Sequence, residues 1–329
     1  MNKTLKIILN LLIFALIAGF GYYMVRSTMA DERALSANGA ENTFVSPYKE
    51  VQRFEMAANI VNFTIYDDKM YVVLADRIAV YDLSGGHQRD FTIRANARDI
   101  AIDKATIYLL YPTQIDLYTL DGQSKGGWNA CSDNSDYCAF TTARDYVFVT
   151  DASNKLIVQY DKQGHLVRFI KSPDGFVIPS YAFDILNIND TIYTSNSGRH
   201  KIESYTLDGR FITSFGVSGS GAGAFAGCCN PVYLAKTFGG HILTSEKGNP
   251  RISTYTREGK FRTILFDSEM LGGGTDAYRM RVWGEDIYIA GRRAITAYRM
   301  DATDGVCRDT RPCASTGTGK SCKGCPNNF

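Results

Sequence analysis

The stretch FDILNINDTIYTSNSGRHKIESYTLDG (183–209) decides the fold of this protein. It contains an apolar strand, a short turn, a second strand with an aromatic residue, another turn, and a third strand that ends in tyrosine and a tight turn. Along the third strand, Ile202, Ser204 and Thr206 alternate with Glu203 and Tyr205, and an alternation of two residues is the period of a β-strand. Asp208 and Gly209 suit the positive φ angles that a hairpin turn needs. The stretch therefore predicts one unit of antiparallel strands.

The same order of elements recurs in five other segments, residues 63–86, 100–122, 140–164, 233–259 and 280–301. The tyrosines that end the third strands are 37, 42, 45, 50 and 43 residues apart: Tyr81, Tyr118, Tyr160, Tyr205, Tyr255 and Tyr298. One such unit cannot bury both of its faces, but six units stacked around an axis cover one another. The repeat predicts an all-β fold, a six-bladed β-propeller of four-stranded blades over residues 46–301.

The last unit lacks the outer strand that follows most of the others, such as RFITSFG (210–216). Its third strand leads directly into a cysteine-rich tail, residues 302–329. The segment EVQRFEM (50–56), which precedes the first unit, has the composition of an outer strand. We expect it to complete the sixth blade, which would join the two ends of the ring and protect a sheet edge.

The junction between the fourth and fifth units, residues 215–261, resembles the NHL repeat. It has a glycine-rich loop, a phenylalanine, a proline, strands that reach an arginine-isoleucine pair, and an acidic-glycine turn. The matching positions are Gly216, Gly219, Gly221, Gly223, Phe225, Pro231, Asn249, Arg251, Ile252 and Gly259. The resemblance spans residues 46–301 and is sharpest over 210–260. It implies a six-bladed propeller from a family that mostly binds partners and includes a minority of enzymes.

The N-terminus differs from the repeats. Lys3 and Lys6 precede an apolar run, Ile7–Val25, that only Asn10 interrupts. A helix of this length crosses a hydrocarbon core of about 30 Å. Residues 1–26 therefore predict a single transmembrane anchor in the cytoplasmic (inner) membrane, and 27–45 a spacer. The two lysines place the rest of the chain on the periplasmic side.

A cleaved signal peptide is the alternative for this N-terminal segment, with the cut after Ala30.

The formal net charge of the chain is +2, from 36 basic and 34 acidic residues. Such a balance provides no basic field for nucleic acid, so we expect no nucleic-acid partner.

The eight cysteines are the most informative residues outside the repeats, because paired cysteines usually oxidise outside the cytoplasm. Cys228 and Cys229 interrupt the NHL-like junction. Each could pair with a distant cysteine or pack as a thiol. Together they could bind a soft metal or an iron–sulfur cluster, or form a strained vicinal disulfide.

The tail contains four further cysteines, Cys307, Cys313, Cys322 and Cys325. Two disulfides that staple the tail are favoured, and a zinc or iron–sulfur site is the alternative. All six of these cysteines would converge on one site if the tail folded over the mouth of the central channel. In the loop at 128–140, the spacing of Cys131 and Cys138 favours a local disulfide.

The favoured function is a non-enzymatic scaffold, anchored beside a membrane complex and binding a protein partner without a cofactor. No nucleophile–base pair is recognisable from spacing, so no catalytic residue is assigned. The first alternative is an iron–sulfur or zinc subunit of an electron-transfer complex that uses Cys228, Cys229 and the tail cysteines. The second is a metal-dependent lyase or lactonase, for which Asp99, Asp184 and Glu246 lie near inner-strand positions.

Five arginines concentrate in the last unit and could line the channel as an anion site. A solvated face is the favoured interpretation for this group: Arg279, Arg281, Arg292, Arg293 and Arg299.

Overall fold

The computed structural model describes residues 13–19, 21–22 and 46–301 of the 329-residue chain. Residues 13–19 and 21–22 are helical, with exposed side chains. Among all these residues, no helix combines the length and apolar character that a bilayer crossing requires. Most of the predicted anchor at 1–26, the spacer at 27–45 and the tail at 302–329 lie outside the described residues.

Residues 46–301 form six separate four-stranded antiparallel sheets. The first strand of the ring is β1 (Tyr48–Glu55). The first blade contains β2 (Asn62–Tyr66), β3 (Lys69–Val73), β4 (Arg77–Asp82) and β5 (His87–Thr92). The second contains β6 (Asp99–Asp103), β7 (Thr106–Tyr111), β8 (Gln114–Thr119) and β9 (Ser124–Asn129). The third contains β10 (Tyr137–Ala143), β11 (Tyr146–Asp151), β12 (Leu156–Asp161) and β13 (Leu166–Ile170).

The remaining blades repeat the same order of strands. The fourth contains β14 (Ile185–Ile188), β15 (Thr191–Asn196), β16 (Lys201–Thr206) and β17 (Phe211–Phe215). The fifth contains β18 (Tyr233–Lys236), β19 (Ile242–Glu246), β20 (Arg251–Tyr255) and β21 (Phe261–Phe266). The sixth contains β22 (Arg279–Trp283), β23 (Asp286–Ala290) and β24 (Ala294–Met300). Short 3₁₀ turns lie at Pro179–Tyr181 and Ser197–Arg199. The predicted six-bladed, four-stranded propeller is confirmed.

The ring closes as the sequence predicts. Strand β1 pairs antiparallel with β24, from Tyr48 opposite Met300 to Glu55 opposite Ala294. Phe54 is 4% exposed and packs into the cluster between the sixth and first blades. The N-terminal strand therefore completes the last blade, which removes an open gap in the ring.

Packing between blades explains the shape of the repeat. The middle strands are covered on both faces, so that every residue of β19 and β20 is buried, while outer strands such as β17 are largely exposed. The turn glycines contribute a close approach as well as a positive φ. Gly259 has φ 92°, and a Cβ there would lie 2.3 Å from the ring of Phe215 in the preceding blade. A side chain at this turn would push two neighbouring blades apart.

Candidate functional site at the channel mouth

A cavity of about 300 Å³ opens where the inner strands of all six blades begin, around the axis of the ring. Each blade contributes at least one lining residue, including Val61, Arg98, Cys138, Asp184, Tyr233 and Arg279. The 3₁₀ turn before β14 adds Ser180 and Tyr181 to the rim. We call this cavity the channel mouth.

Two carboxylates in the channel connect neighbouring blades. Asp99 accepts hydrogen bonds from the backbone N–H of Phe140 in the next blade (3.1 Å) and from the side chain of Asn62 in the previous one (2.6 Å). Asp184 accepts from the N–H of Leu234 in the next blade (2.7 Å) and from Ile185 (3.0 Å). Both carboxylates therefore have a structural task at the start of an inner strand.

Glu246, the third predicted carboxylate, does not join them. It is 1% exposed and pairs with Arg251 at 2.7 Å, between the fifth blade and the glycine-rich loop. The three residues therefore form no common site, and within residues 46–301 no group of three His, Cys, Asp or Glu side chains is arranged to hold a metal.

Arginine supplies the positive charge of the channel. Arg281 donates to Asn62 at 3.1 Å and lies 3.5 Å from Asp99, while Arg98 pairs with Asp136. Arg279 lies over the ring of Tyr233, 4.3 Å from its centroid, and donates to the carbonyl of Arg98 at 3.3 Å. Within the described chain Arg279 forms no salt bridge, so its guanidinium retains donors for another group.

The five clustered arginines thus divide into two sets. Arg279 and Arg281 lie in the channel, and the predicted solvated face is wrong for these two. Arg292 and Arg293 are exposed, and Arg299 is exposed beside Asp286, as predicted. Four other residues of the channel were not predicted from the repeat: Asn62, Arg98, Tyr181 and Tyr233. Asn62 was visible in principle, because it precedes the first apolar strand as Asp99 and Asp184 do in their units.

The channel combines a permanent cation with an acid that can titrate. Burial and the nearby charge of Asp99 raise the pKa of Asp184 to about 6, although Arg279 and the Leu234 N–H oppose this shift. Burial disfavours the charge of Arg279, yet Tyr233, Asp99 and Asp184 outweigh burial and raise its pKa. Burial raises the pKa of Cys138 to about 12, so this thiol stays neutral.

The predicted disulfide between Cys131 and Cys138 does not form in the structure, where both thiols are free. Tyr137 and Cys138 are consecutive in β10, so their side chains point to opposite faces of the sheet. Cys131 lies on the Tyr137 side, since the Tyr137 hydroxyl contacts its sulfur at 3.7 Å. Cys138 instead packs into the core cluster on the other face. The spacing of the two cysteines was suitable, but the strand separates them.

Cys228 and Cys229 lie in the loop between β17 and β18 and are also free. Their sulfurs are 3.2 Å apart, with Cys228 exposed and Cys229 3% exposed. Cys229 packs against Ala182 and Val232, which line the channel mouth. This pair therefore lies beside the channel mouth. The tail cysteines that the six-cysteine site requires lie outside the described residues.

Comparison with solved structures finds proteins that share this fold. A streptogramin B lyase matches with 13% identity over 77% of this chain and 98% of its own, at a TM-score of 0.56. Virginiamycin B lyase from Staphylococcus aureus matches at 15%, over 77% and 99%, with a TM-score of 0.53. The same enzyme has been solved as a catalytically inactive histidine-to-alanine variant with quinupristin. A Bacteroides thetaiotaomicron protein of unknown function matches at 11%, over 77% and 72%, with a TM-score of 0.53.

These identities show a shared propeller fold alone. No protein-family model matches the chain, and no curated protein sequence matches it. The NHL resemblance therefore stays a prediction from the sequence.

Proposed function

We propose that this propeller is a non-enzymatic binding module that holds a protein partner through an anionic group at the channel mouth. The observation that carries the proposal is the position of Arg279. Its half-buried side chain forms no salt bridge inside the described chain, and its guanidinium lies over the ring of Tyr233 at the opening. A guanidinium offers a planar set of donors that matches a carboxylate with two parallel hydrogen bonds. Because its position is already set, little side-chain entropy is lost on binding.

The other polar groups of the channel support binding more than catalysis. Asp99 and Asp184 accept backbone N–H groups that connect the blades, so a change in either would disturb the ring as well as the site. None of the four histidines of the chain lines the mouth. The Staphylococcus lyase, in contrast, is inactive when one histidine is replaced by alanine.

The dimensions of the mouth define the class of partner. About 300 Å³ lies at the lower end of the range for ligand sites, and it suits the tip of a peptide more than a large cofactor. Tyr181 at the rim is 62% exposed, and the Arg98 guanidinium lies 5.7 Å from its ring. An exposed aromatic residue beside arginine is typical of protein-binding surfaces. An acidic side chain or a C-terminal carboxylate of a partner would therefore enter the mouth and meet Arg279.

The predicted setting belongs to the same proposal. An anchor at residues 1–26 would hold the propeller beside a membrane complex on the periplasmic side. The NHL resemblance agrees with a binding role, because most members of that family bind partners.

Peptide display on the full-length protein tests the proposal. Acidic peptides and peptides with free C-termini should be enriched, and their amidated versions should bind more weakly. Arg279→Gln should weaken the selected peptides by roughly 10- to 100-fold, which corresponds to the loss of about 1.5–3 kcal/mol from a charged hydrogen bond. Arg299→Gln is the matched control, because Arg299 is an exposed arginine of the same blade and lies outside the mouth. Equal affinity for both variants would refute the proposal.

A lyase is the second candidate, and Asp184 is the observation that favours it. Its carboxyl group lines the mouth, and a pKa of about 6 suits a general base near neutral pH. The test is the conversion of quinupristin by the wild-type protein and by Asp184→Asn, followed by mass spectrometry. Conversion that is lost in the variant would favour the lyase, and no conversion by the wild-type protein would exclude this substrate.

A further inference from the structure

We propose that Cys228 and Cys229 form a reversible dithiol–disulfide redox site whose oxidation state controls the turn Ser180–Ala182 at the channel mouth. The two sulfurs are 3.2 Å apart, close enough for an S–H···S contact. Exposed Cys228 is accessible to a redox partner, while Cys229 is buried behind it. One thiol can therefore react first and the other can resolve the product.

The loop holds this pair in place from both sides. Upstream, Arg251 donates to the carbonyls of Ser220 (3.2 Å) and Ala224. Downstream, the side chain of Asn230 donates to the carbonyls of Ala226 (2.7 Å) and Lys247 (2.9 Å), and it accepts from the Lys247 N–H (2.9 Å). The dithiol thus has a built position between two fixed points and is not part of a freely moving glycine-rich segment.

Charge around Cys229 supports its reactivity. Burial would raise the pKa of this thiol, but hydrogen bonds from Lys247 and Cys228 and the charge of Lys247 outweigh burial and lower it. The thiolate is the reactive form of cysteine in exchange with a disulfide. The hydrogen bond with Cys229 raises the pKa of Cys228, so Cys229 gives up its proton more readily than Cys228 does.

The reaction requires a disulfide-bearing partner as oxidant. The Cys228 sulfur attacks one sulfur of that partner, breaks its S–S bond and releases the first thiol, which carries one proton away. The Cys229 sulfur then attacks the mixed disulfide at Cys228 and releases the second thiol with the second proton. The dithiol has lost two electrons and two protons, and the partner disulfide has become two thiols.

The product is expected to be labile. Adjacent Cα atoms across a trans peptide are about 3.8 Å apart, which is below the usual range of about 4.4–6.8 Å for disulfides. A disulfide outside that range is easier to reduce, and such bonds are the regulatory ones. This property favours a switch over a permanent staple.

The link to the mouth is a direct contact. Cys229 packs against Ala182, and the side chain of Ser180 is among the groups that lower the pKa of the Cys229 thiol. Ser180 and Tyr181 have left-handed backbone angles, with φ 54° and 58°, so their turn is held in an uncommon conformation by its surroundings. Drawing the Cys229 sulfur roughly 1 Å toward Cys228, to the bond length of about 2.0 Å, would remove part of that support.

Mass spectrometry of the full-length protein in glutathione buffers of graded redox poise tests the site. Trypsin releases residues 211–236, a peptide whose only cysteines are Cys228 and Cys229. We expect this peptide to become two hydrogen atoms lighter and resistant to alkylation in oxidising buffer, and to recover in reducing buffer. Cys229→Ser should instead accumulate glutathione on Cys228. A peptide that stays doubly alkylated at every poise, or becomes cross-linked to a tail peptide, would overturn the proposal.

Hydrogen exchange tests the link to the mouth. The amides of Ala182 and Phe183 close the turn through bonds to Pro179 (3.3 Å) and Tyr181 (2.9 Å). Oxidation should change their exchange rates severalfold in the wild-type protein and leave them unchanged in the Cys228→Ser/Cys229→Ser variant. An oxidised peptide 211–236 with unaltered exchange at this turn would overturn the link.

Discussion

Arg251→Met should strongly destabilise the propeller, because it would leave Glu246 charged and buried without a partner. Arg251 contacts both carboxylate oxygens of Glu246, at 2.7 and 3.0 Å, and the two residues are 8% and 1% exposed. Removing one member of such a buried pair costs about 3–5 kcal/mol. For a domain of this size the melting temperature should fall by roughly 6–20 °C. The substitution also removes the hydrogen bonds from Arg251 to the carbonyls of Ser220 and Ala224, in the loop that leads to Cys228.

Arg299→Met is the matched control for this experiment. Arg299 also makes two bonds to a carboxylate, at 2.6 and 2.7 Å from Asp286, but its side chain is 55% exposed. Asp286 is 8% exposed, but solvent reaches the pair from the exposed side of Arg299, so losing this pair should cost less than losing the fully buried one. The two variants therefore share their geometry and differ in burial.

Urea denaturation and thermal melting, followed by circular dichroism, measure the difference. A double variant, Arg251→Met with Glu246→Leu, should recover most of the loss because no charge stays buried. Burial already raises the pKa of Glu246. The deficit of Arg251→Met should therefore shrink on acidification, when Glu246 is protonated and uncharged. Equal losses for Arg251→Met and Arg299→Met would refute the reasoning.

Phe54→Ala should cost about 3–5 kcal/mol because it empties the closure between the first and last blades, whereas Val51→Ala on the exposed side of the same strand should change urea stability by at most about 0.5 kcal/mol. A pKa of about 6 for Asp184 means that the unfolded chain loses this proton first, so stability should fall as the pH rises from about 4 to about 6. Asp184→Asn should remove that slope from urea midpoints, and an unchanged slope would contradict the assignment. Iodoacetamide should label Cys228 in the folded protein but Cys138 only after unfolding, because Cys138 is buried and its pKa is about 12. Rapid labelling of Cys138 in the native state would contradict this order.

The fold could be predicted from the sequence because its signals are local. Strand alternation, acidic-glycine turns and the tyrosine at the end of each third strand lie within a few residues of one another. The closure by β1 could be predicted as well, since the last unit lacked one strand and a suitable segment preceded the first. The sequence does not show, however, that a turn glycine is also required by packing between blades. At Gly259 a side chain would collide with Phe215 of the neighbouring blade.

The channel mouth depends on contacts between residues far apart in the chain. Arg279 reaches the carbonyl of Arg98 across 181 residues, and Asp99 reaches the Phe140 amide in the next blade. The Cys131–Cys138 disulfide is absent for a different and local reason, since the pleat of β10 turns Tyr137 and Cys138 to opposite faces and Cys131 lies on the Tyr137 side. Short-range periodicity and turn chemistry therefore determined the blades and their number. Only the closed ring, which brings six strand ends to one axis, decided which charges meet and which thiols lie beside them.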